Sequence, residues 1–217
     1  MPVLNHYKTW VFDCDGVLLD SNRVKTGAFY ETARPYGEDK ARMLVDYHVR
    51  NGGISRYVKF EHFLVSIVGR REVEPVELDE LLDRYAGYVK QGLRNCEVAS
   101  GLAELRQNTQ GARWLVVSGG DQKELREVFH DRGLAGHFDG GIFGSPETKD
   151  DILSRELASG VIEQPAVFVG DSQYDIEAAS RAGLDFIFLS KWSESRHDFM
   201  NAIARLESIR SIVDTLG

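Results

Sequence analysis

The sequence predicts an α/β protein: a doubly wound parallel sheet with a small all-helical unit inserted after the first strand. Two observations predict the sheet. Short, uniformly apolar runs recur, each followed by a segment of helical spacing, as expected for strands buried on both faces. Each run also ends in glycine, serine or aspartate. A third observation predicts the insertion: between about Asn22 and Glu97 only helix-period patterns occur.

The first strand, Trp10-Val11-Phe12, delivers Asp13-Cys14-Asp15 into Gly16. Residues i and i+2 of an extended backbone share a face, so Asp13 and Asp15 can point at one place. Cys14 then points the other way and packs as a small hydrophobe. Glycine lets the chain bend away and leaves the backbone open to a ligand. Paired acids at the end of a buried strand point to a cation, acid–base chemistry or both. Phe60, Phe63, Leu64 and Ile67, then Leu78, Leu81, Leu82 and Tyr85, mark helices of the insertion.

The α/β pattern resumes near Ser100-Gly101. Trp114–Val117 reads as a strand ending in Ser118-Gly119-Gly120-Asp121, followed by a helix with Leu125, Val128 and Phe129 on one face. Lys149 opens another helix. Ala166–Val169 is a strand ending in Gly170-Asp171, and its helix carries Ile176, Ala179 and Ser180 and stops near Gly183. Phe186–Leu189 is a further strand, with an amphipathic helix expected around Phe199, Ile203 and Leu206. Ile209–Leu216 closes the core as either a short strand or a helix. The expected division is a core of residues 1–21 and 98–217 and a helical unit of residues 22–97.

Composition narrows the function. With 217 residues, 42% hydrophobic and 28% charged, the chain can bury one core and a smaller appended unit. No apolar run approaches the ~18 residues of a membrane span, and no charged-then-apolar leader is present. The two cysteines, Cys14 and Cys96, make no disulfide framework. These features lead us to expect a cytoplasmic protein. A formal charge of −8 argues against a nucleic-acid partner.

Ligands of an open parallel sheet gather beyond the carboxyl ends of its strands. There the sequence places Asp13 and Asp15, Ser118, and Asp171 with Asp175 four residues on. Lys149 is the only lysine between Lys123 and Lys191. One lysine, one serine and several acids suit a phosphate held against Mg²⁺, which prefers hard oxygen ligands. Ser118 offers a hydroxyl, Gly119 a backbone N–H expected at the start of a helix, and Lys149 a fixed positive charge.

In this order, Asp13-Cys-Asp15-Gly-Val-Leu-Leu-Asp-Ser, Ser118, Lys149 and Gly170-Asp171-Ser-Gln-Tyr-Asp175 resemble the haloacid dehalogenase superfamily, near its β-phosphoglucomutase and phosphoglycolate phosphatase branch. The resemblance implies a Rossmann-like core and equates the inserted helices with a C1-type cap. It makes Asp13 the nucleophile that becomes an aspartyl-phosphate, and Asp15 the acid for the leaving alcohol and the base for water. Asp13, the backbone carbonyl of Asp15, and Asp171 would hold Mg²⁺, with Asp175 in support. Ser118, Gly119 and Lys149 would hold the transferring phosphoryl group. The family's dehalogenases and phosphonate-cleaving members lack an acid at the Asp15 position, so its presence favours phosphate esters. The lysine loop reads Ser145-Pro146-Glu147-Thr148-Lys149, where many capped members have K-P-x-P.

Asn51-Gly52-Gly53-Ile54-Ser55-Arg56 resembles the specificity loop K-G-x-S-R of β-phosphoglucomutase, with Gly52 in place of the lysine. Arg56, with Ser55 capping its helix, is a candidate grip on substrate, or else a solvated residue beside a helix joint. Lys25 stands where many capped relatives have a histidine, and is the second candidate cap contact. The missing loop lysine weakens a phosphomutase. The expected activity is Mg²⁺-dependent hydrolysis of a small phosphorylated metabolite, a sugar or sugar-acid phosphate. A phosphomutase and a non-catalytic binding module are the alternatives.

Overall fold

The computed structural model describes residues 4–195 and 199–216. The segment after the first strand folds into α1 (Asn22–Ala33), α2 (Glu38–Arg50), α3 (Arg56–His62) and α4 (Pro75–Asn95) before the chain returns to the sheet. A π-helical turn, Phe63–Val68, continues α3. Pro75 occupies the first turn of α4, where its missing N–H costs nothing. Leu81, Tyr85, Val89 and Leu93 follow at four-residue spacing and are buried. Phe29, Phe60 and Tyr85 form the middle of this unit, with centroid separations of 4.4 to 5.6 Å.

The sheet is assembled from β1 (Thr9–Phe12), β2 (Arg113–Asp121), β3 (Gly141–Ser145), β4 (Ala166–Gly170), β5 (Asp185–Leu189) and β6 (Ala204–Leu206). Among the described residues these six strands run parallel in the order β3-β2-β1-β4-β5-β6. Its helices are α5 (Leu102–Asn108), α6 (Gln122–Asp131), α7 (Lys149–Ala158), α8 (Gln173–Arg181) and α9 (Ile209–Leu216). Alternation along β1 divides the core. Trp10 and Phe12 join Trp114, Val116 and the apolar faces of α5, α6 and α9. Val11 joins Leu115, Val117 and Phe168 against α7 and α8. Cys14 is fully buried among the first group, as a small hydrophobe.

Two features depart from the sequence reading. β3 was not expected: Gly141–Ser145 is short and glycine-rich, yet β2 pairs with it in parallel over Gly141–Phe143 and, after a register shift, again at Ser145. No helix runs through Phe199, Ile203 and Leu206. The free edge of β5 takes this segment instead, with Ile203 N–H donating to Phe186 O at 2.9 Å and Ser190 N–H to Leu206 O at 3.0 Å. Phe199 stacks on Phe188 at 3.9 Å. Backbone pairing therefore prevails over a spacing that imitates a helix. Residues 196–198 of that expected helix lie outside the described residues. Ile209–Leu216 proves to be a helix. No described helix is long and apolar enough to cross a membrane.

The helical unit leaves and rejoins the sheet through two linkers lying side by side. Asp20 N–H donates to Glu97 O and Ala99 N–H to Leu18 O, both at 2.9 Å. Phe60 is fully buried at the centre of this unit. Replacing Phe60 with Ala should cost about 3–5 kcal/mol of stability, read as a lowered midpoint in chemical denaturation. A loss below about 1 kcal/mol would contradict this packing.

Candidate active site

Strand order reverses between β1 and β4, which opens a crevice at their carboxyl ends. Asp13 N–H donates to Val169 O at 2.9 Å, so Asp13 and Asp171 emerge on either side of that crevice. The chain then turns at Gly16, which has a φ of +76°. A Cβ at this position would run into the Asp171 carboxylate and the Asn22 amide. Only glycine lets the turn pass beneath Asp171.

Four charged side chains meet there. Lys149, at the start of α7 and 1% exposed, lies 2.9 Å from Asp13 Oδ1 and is also ion-paired with Asp175. Thr148 caps α7 and fixes the lysine's point of departure. Asp175 Oδ2 accepts from the Ser172 hydroxyl at 2.7 Å and from the Ser172 and Asp171 N–H groups at 3.0 and 3.2 Å. This exchange is a capping box at the start of α8. Oxygens of Asp13, Asp171 and Asp175 all lie within 4.8 Å of one another.

Three buried carboxylates thus face a single lysine. Burial pushes the Asp13 carboxyl up to about 7; the neighbouring Asp175 and Asp15 charges add to this and Lys149 opposes it. Burial, then Asp175 and Asp13, push Asp171 well above the carboxylate range. Asp13 Oδ1 has no well-directed hydrogen bond. Crowded, under-compensated oxygens of this kind suit a divalent cation. Asp13 and Asp171 would hold it. Both Asp175 oxygens are already engaged, so Asp175 fixes Lys149 and the turn beneath. A side-chain ligand role for Asp15 does not fit, since Asp15 is not part of that cluster.

Asp15 has surroundings of its own. Its Oδ1 accepts from the Ser21 hydroxyl at 2.5 Å, and Lys25 pairs with Oδ2. Burial would raise this carboxyl, but the Lys25 charge and the two hydrogen bonds hold it below the usual range. Two acids separated by one residue therefore have opposite tendencies, Asp13 toward the neutral and Asp15 toward the ionised form.

The remaining expected residues are placed as follows. Ser118 is fully buried and its hydroxyl accepts from Gly120 N–H at 3.0 Å. Gly119 is not at a helix start, because β2 continues to Asp121 and α6 begins at Gln122, capped by Asp121. It serves instead as a point of close approach: a Cβ on Gly119 would collide with the Gly53 carbonyl. The loop 51–55 thus lies across the end of β2, with Gly53 also beside Ser172. Ser55 caps α3. Arg56 lines the same cavity as Asp13, Asp15 and Lys25. It is not a solvated residue: its guanidinium forks onto Glu124 and lies 4.6 Å from the Tyr85 ring centroid.

Several residues were not singled out from sequence. Glu124, Asn22 and Ser21 each orient a group of the site. Lys59 and His48 line the cavity as well. The spacing of Arg56, Lys59, Phe60 and Phe63 could have signalled Lys59, since i, i+3, i+4 and i+7 share one helix face.

A family model described as haloacid dehalogenase-like hydrolase matches residues 7–183. Solved structures give the same fold. A phosphate complex of CbbY from Rhodobacter sphaeroides superposes with a TM-score of 0.71 at 20% identity, covering 95% of this chain and 96% of that one. A protein described as a predicted phosphatase from Clostridium acetobutylicum gives 0.73 at 20% identity, covering 97% and 98%. One described as a predicted phosphoglycolate phosphatase from Haemophilus somnus gives 0.70 at 18%, covering 99% and 100%. No curated protein sequence matches the chain.

The Asp15 environment yields a direct test. In Lys25→Met the attraction is gone while the burial stays, so the Asp15 carboxyl should titrate above its wild-type value. Carbon-detected NMR of labelled aspartates reads this shift. An unchanged Asp15 titration would show that Lys25 does not set its charge.

Proposed function

This chain belongs to the haloacid dehalogenase-like hydrolases, and we propose that it is a Mg²⁺-dependent phosphatase of a small phosphorylated metabolite, a sugar or sugar-acid phosphate. The observation that carries this reading is the split between the two acids. Asp13 sits beside Lys149 and two further carboxylates, while Asp15 is paired with Lys25. One carboxylate is placed for nucleophilic attack and the other for moving protons.

In this proposal the substrate phosphoryl group lies between Asp13 and the backbone at Gly119-Gly120, which lines the cavity, with Lys149 and Ser118 beside it. A bound Mg²⁺ would offset the negative charge of phosphate and carboxylate, which otherwise repel. An Asp13 oxygen attacks phosphorus, and the ester oxygen leaves as the alcohol. Its proton comes from the Asp15–Lys25 pair, which shares one proton between carboxylate and amine. In the second half Asp15 takes a proton from water, the resulting hydroxide attacks phosphorus, Asp13 is released and the pair regains its proton. Residues 22–97 act as a cap, joined to the core through the paired linkers. Arg56 fixes the cap through Glu124, and Lys25 sets the protonation of Asp15.

The cavity between cap and core measures about 60 Å³, far below the roughly 300–1,000 Å³ of sites that enclose drug-sized ligands. A sugar phosphate therefore enters only when the cap moves, and a macromolecular phosphate would require it to stand away altogether.

Release of inorganic phosphate from a panel of sugar and sugar-acid phosphates tests the activity. Excess chelator should abolish it and Mg²⁺ restore it; full turnover in chelator would overturn the metal dependence. Asp13→Asn should lower turnover by about 10⁴-fold or more, because an amide cannot form the acyl-phosphate. Undiminished hydrolysis in that variant would place the chemistry elsewhere.

A further inference from the structure

The cap side of the cavity carries Arg50, which is exposed, and three buried cations, Lys25, Arg56 and Lys59, which are not equivalent. Lys25 is paired with Asp15 and Arg56 with Glu124. Lys59, on α3, belongs to no ion pair among the described residues. It is 2% exposed and lines the cavity that Asp13, Asp15 and Asp171 also line. Its polar neighbour is His48 on α2, with Nζ 2.8 Å from Nδ1. The Phe29 ring lies below, its centroid 5.5 Å from Nζ.

An ammonium has only donors to offer, so a charged Lys59 makes His48 Nδ1 the acceptor and His48 a neutral imidazole. Burial, then the Lys59 and Lys25 charges, hold His48 well below the usual histidine range, in keeping with that assignment. Burial first, and then Lys25, also lower Lys59, to about 7. Its charge is therefore costly as the protein stands: the Asp15 and Asp13 charges offset that cost only in part, and no protein anion is paired with it. An uncompensated buried cation is stabilised when an anion is bound beside it.

We infer that Lys59, oriented by His48, binds a second anionic group of the substrate, a carboxylate or a second phosphate, on the cap side of the cavity. The inference rests on the proposed phosphatase reading for the group that faces Asp13. It goes beyond that reading by requiring a substrate with anions at both ends. A sugar phosphate with a neutral far end would leave Lys59 unsatisfied, whereas an acid phosphate would not. Lys59 is a specificity residue and His48 a positioning residue behind it.

The test compares three esters of two-carbon alcohols: phosphoglycolate, ending in carboxylate; ethylene glycol bisphosphate, ending in phosphate; and 2-hydroxyethyl phosphate, ending in a neutral hydroxymethyl group. Binding to the wild-type protein is measured by calorimetry in the presence of Mg²⁺, alongside hydrolysis. At least one charged ester should bind tenfold or more tightly than the neutral one, and the order of the two identifies the anion. Lys59→Met keeps the side-chain volume and removes a buried charge, so it should fold with no loss of melting temperature. It should lower kcat/KM or affinity for the preferred ester on the order of 10–100-fold, and leave the neutral ester within about threefold.

Equal wild-type affinity for charged and neutral esters would overturn the inference, as would equal losses on both in Lys59→Met. A binding preference without hydrolysis of any ester, generic aryl phosphates included, would sink the phosphatase reading and leave the Lys59 subsite standing.

Discussion

The ion pairs of Lys149 are the interaction on which the rest of the site depends. Buried beside Asp13 and Asp175, it is the one strong positive charge set against three carboxylates at the end of β1 and β4. A carboxylate buried without compensation would take up a proton, and a lysine without compensation would lose one. Asp13 and Asp175 keep the lysine charged, Lys149 opposes the burial that pushes Asp13 toward its neutral form, and the capping box of Ser172 and Asp175 fixes where they meet. The residual excess of negative charge makes the crevice receptive to a cation. The turn at Gly16 follows from the same constraint, since the chain must pass within reach of Asp171 without a side chain of its own.

The helical unit adds a second layer of charge control. It brings Lys25, Arg56 and Lys59 to a cavity whose floor is acidic. Its loop seats backbone against backbone, Gly53 on Gly119, which leaves no room for side chains at the contact. The fork of Arg56 onto Glu124 and the Tyr57 hydroxyl donating to Asp121 at 2.9 Å join the unit to α6. Those contacts break if the unit moves, so access to the cavity and the state of these ion pairs are linked.

Much of this was legible in the sequence, for identifiable reasons. β1, β2, β4 and β5 are central, and central parallel strands announce themselves as apolar runs. Asp13, Asp15, Asp171 and Lys149 were found because each begins where such an element ends or a helix starts. β3 and β6 were not found, because the sheet rather than their own composition makes them strands. Gly119 was assigned to a helix start, since nothing in Ser118-Gly119-Gly120-Asp121 shows that β2 continues. Lys59 and His48 lie on successive helices, 11 residues apart, and become neighbours only when α2 and α3 pack. A lysine on a helix reads as a solvated side chain until its face proves to be the buried one.

If Asp13 carries the phosphoryl group in the proposed reaction, mass spectrometry can find it there. The Asp15→Asn variant, slowed in attack by water, is mixed with substrate and Mg²⁺, quenched in acid and digested. One phosphoryl group is expected on the peptide containing Asp13, absent when Asp13 is also replaced by Asn. A phosphoryl group on any other residue, or hydrolysis with no phosphorylated protein at any time point, would contradict it.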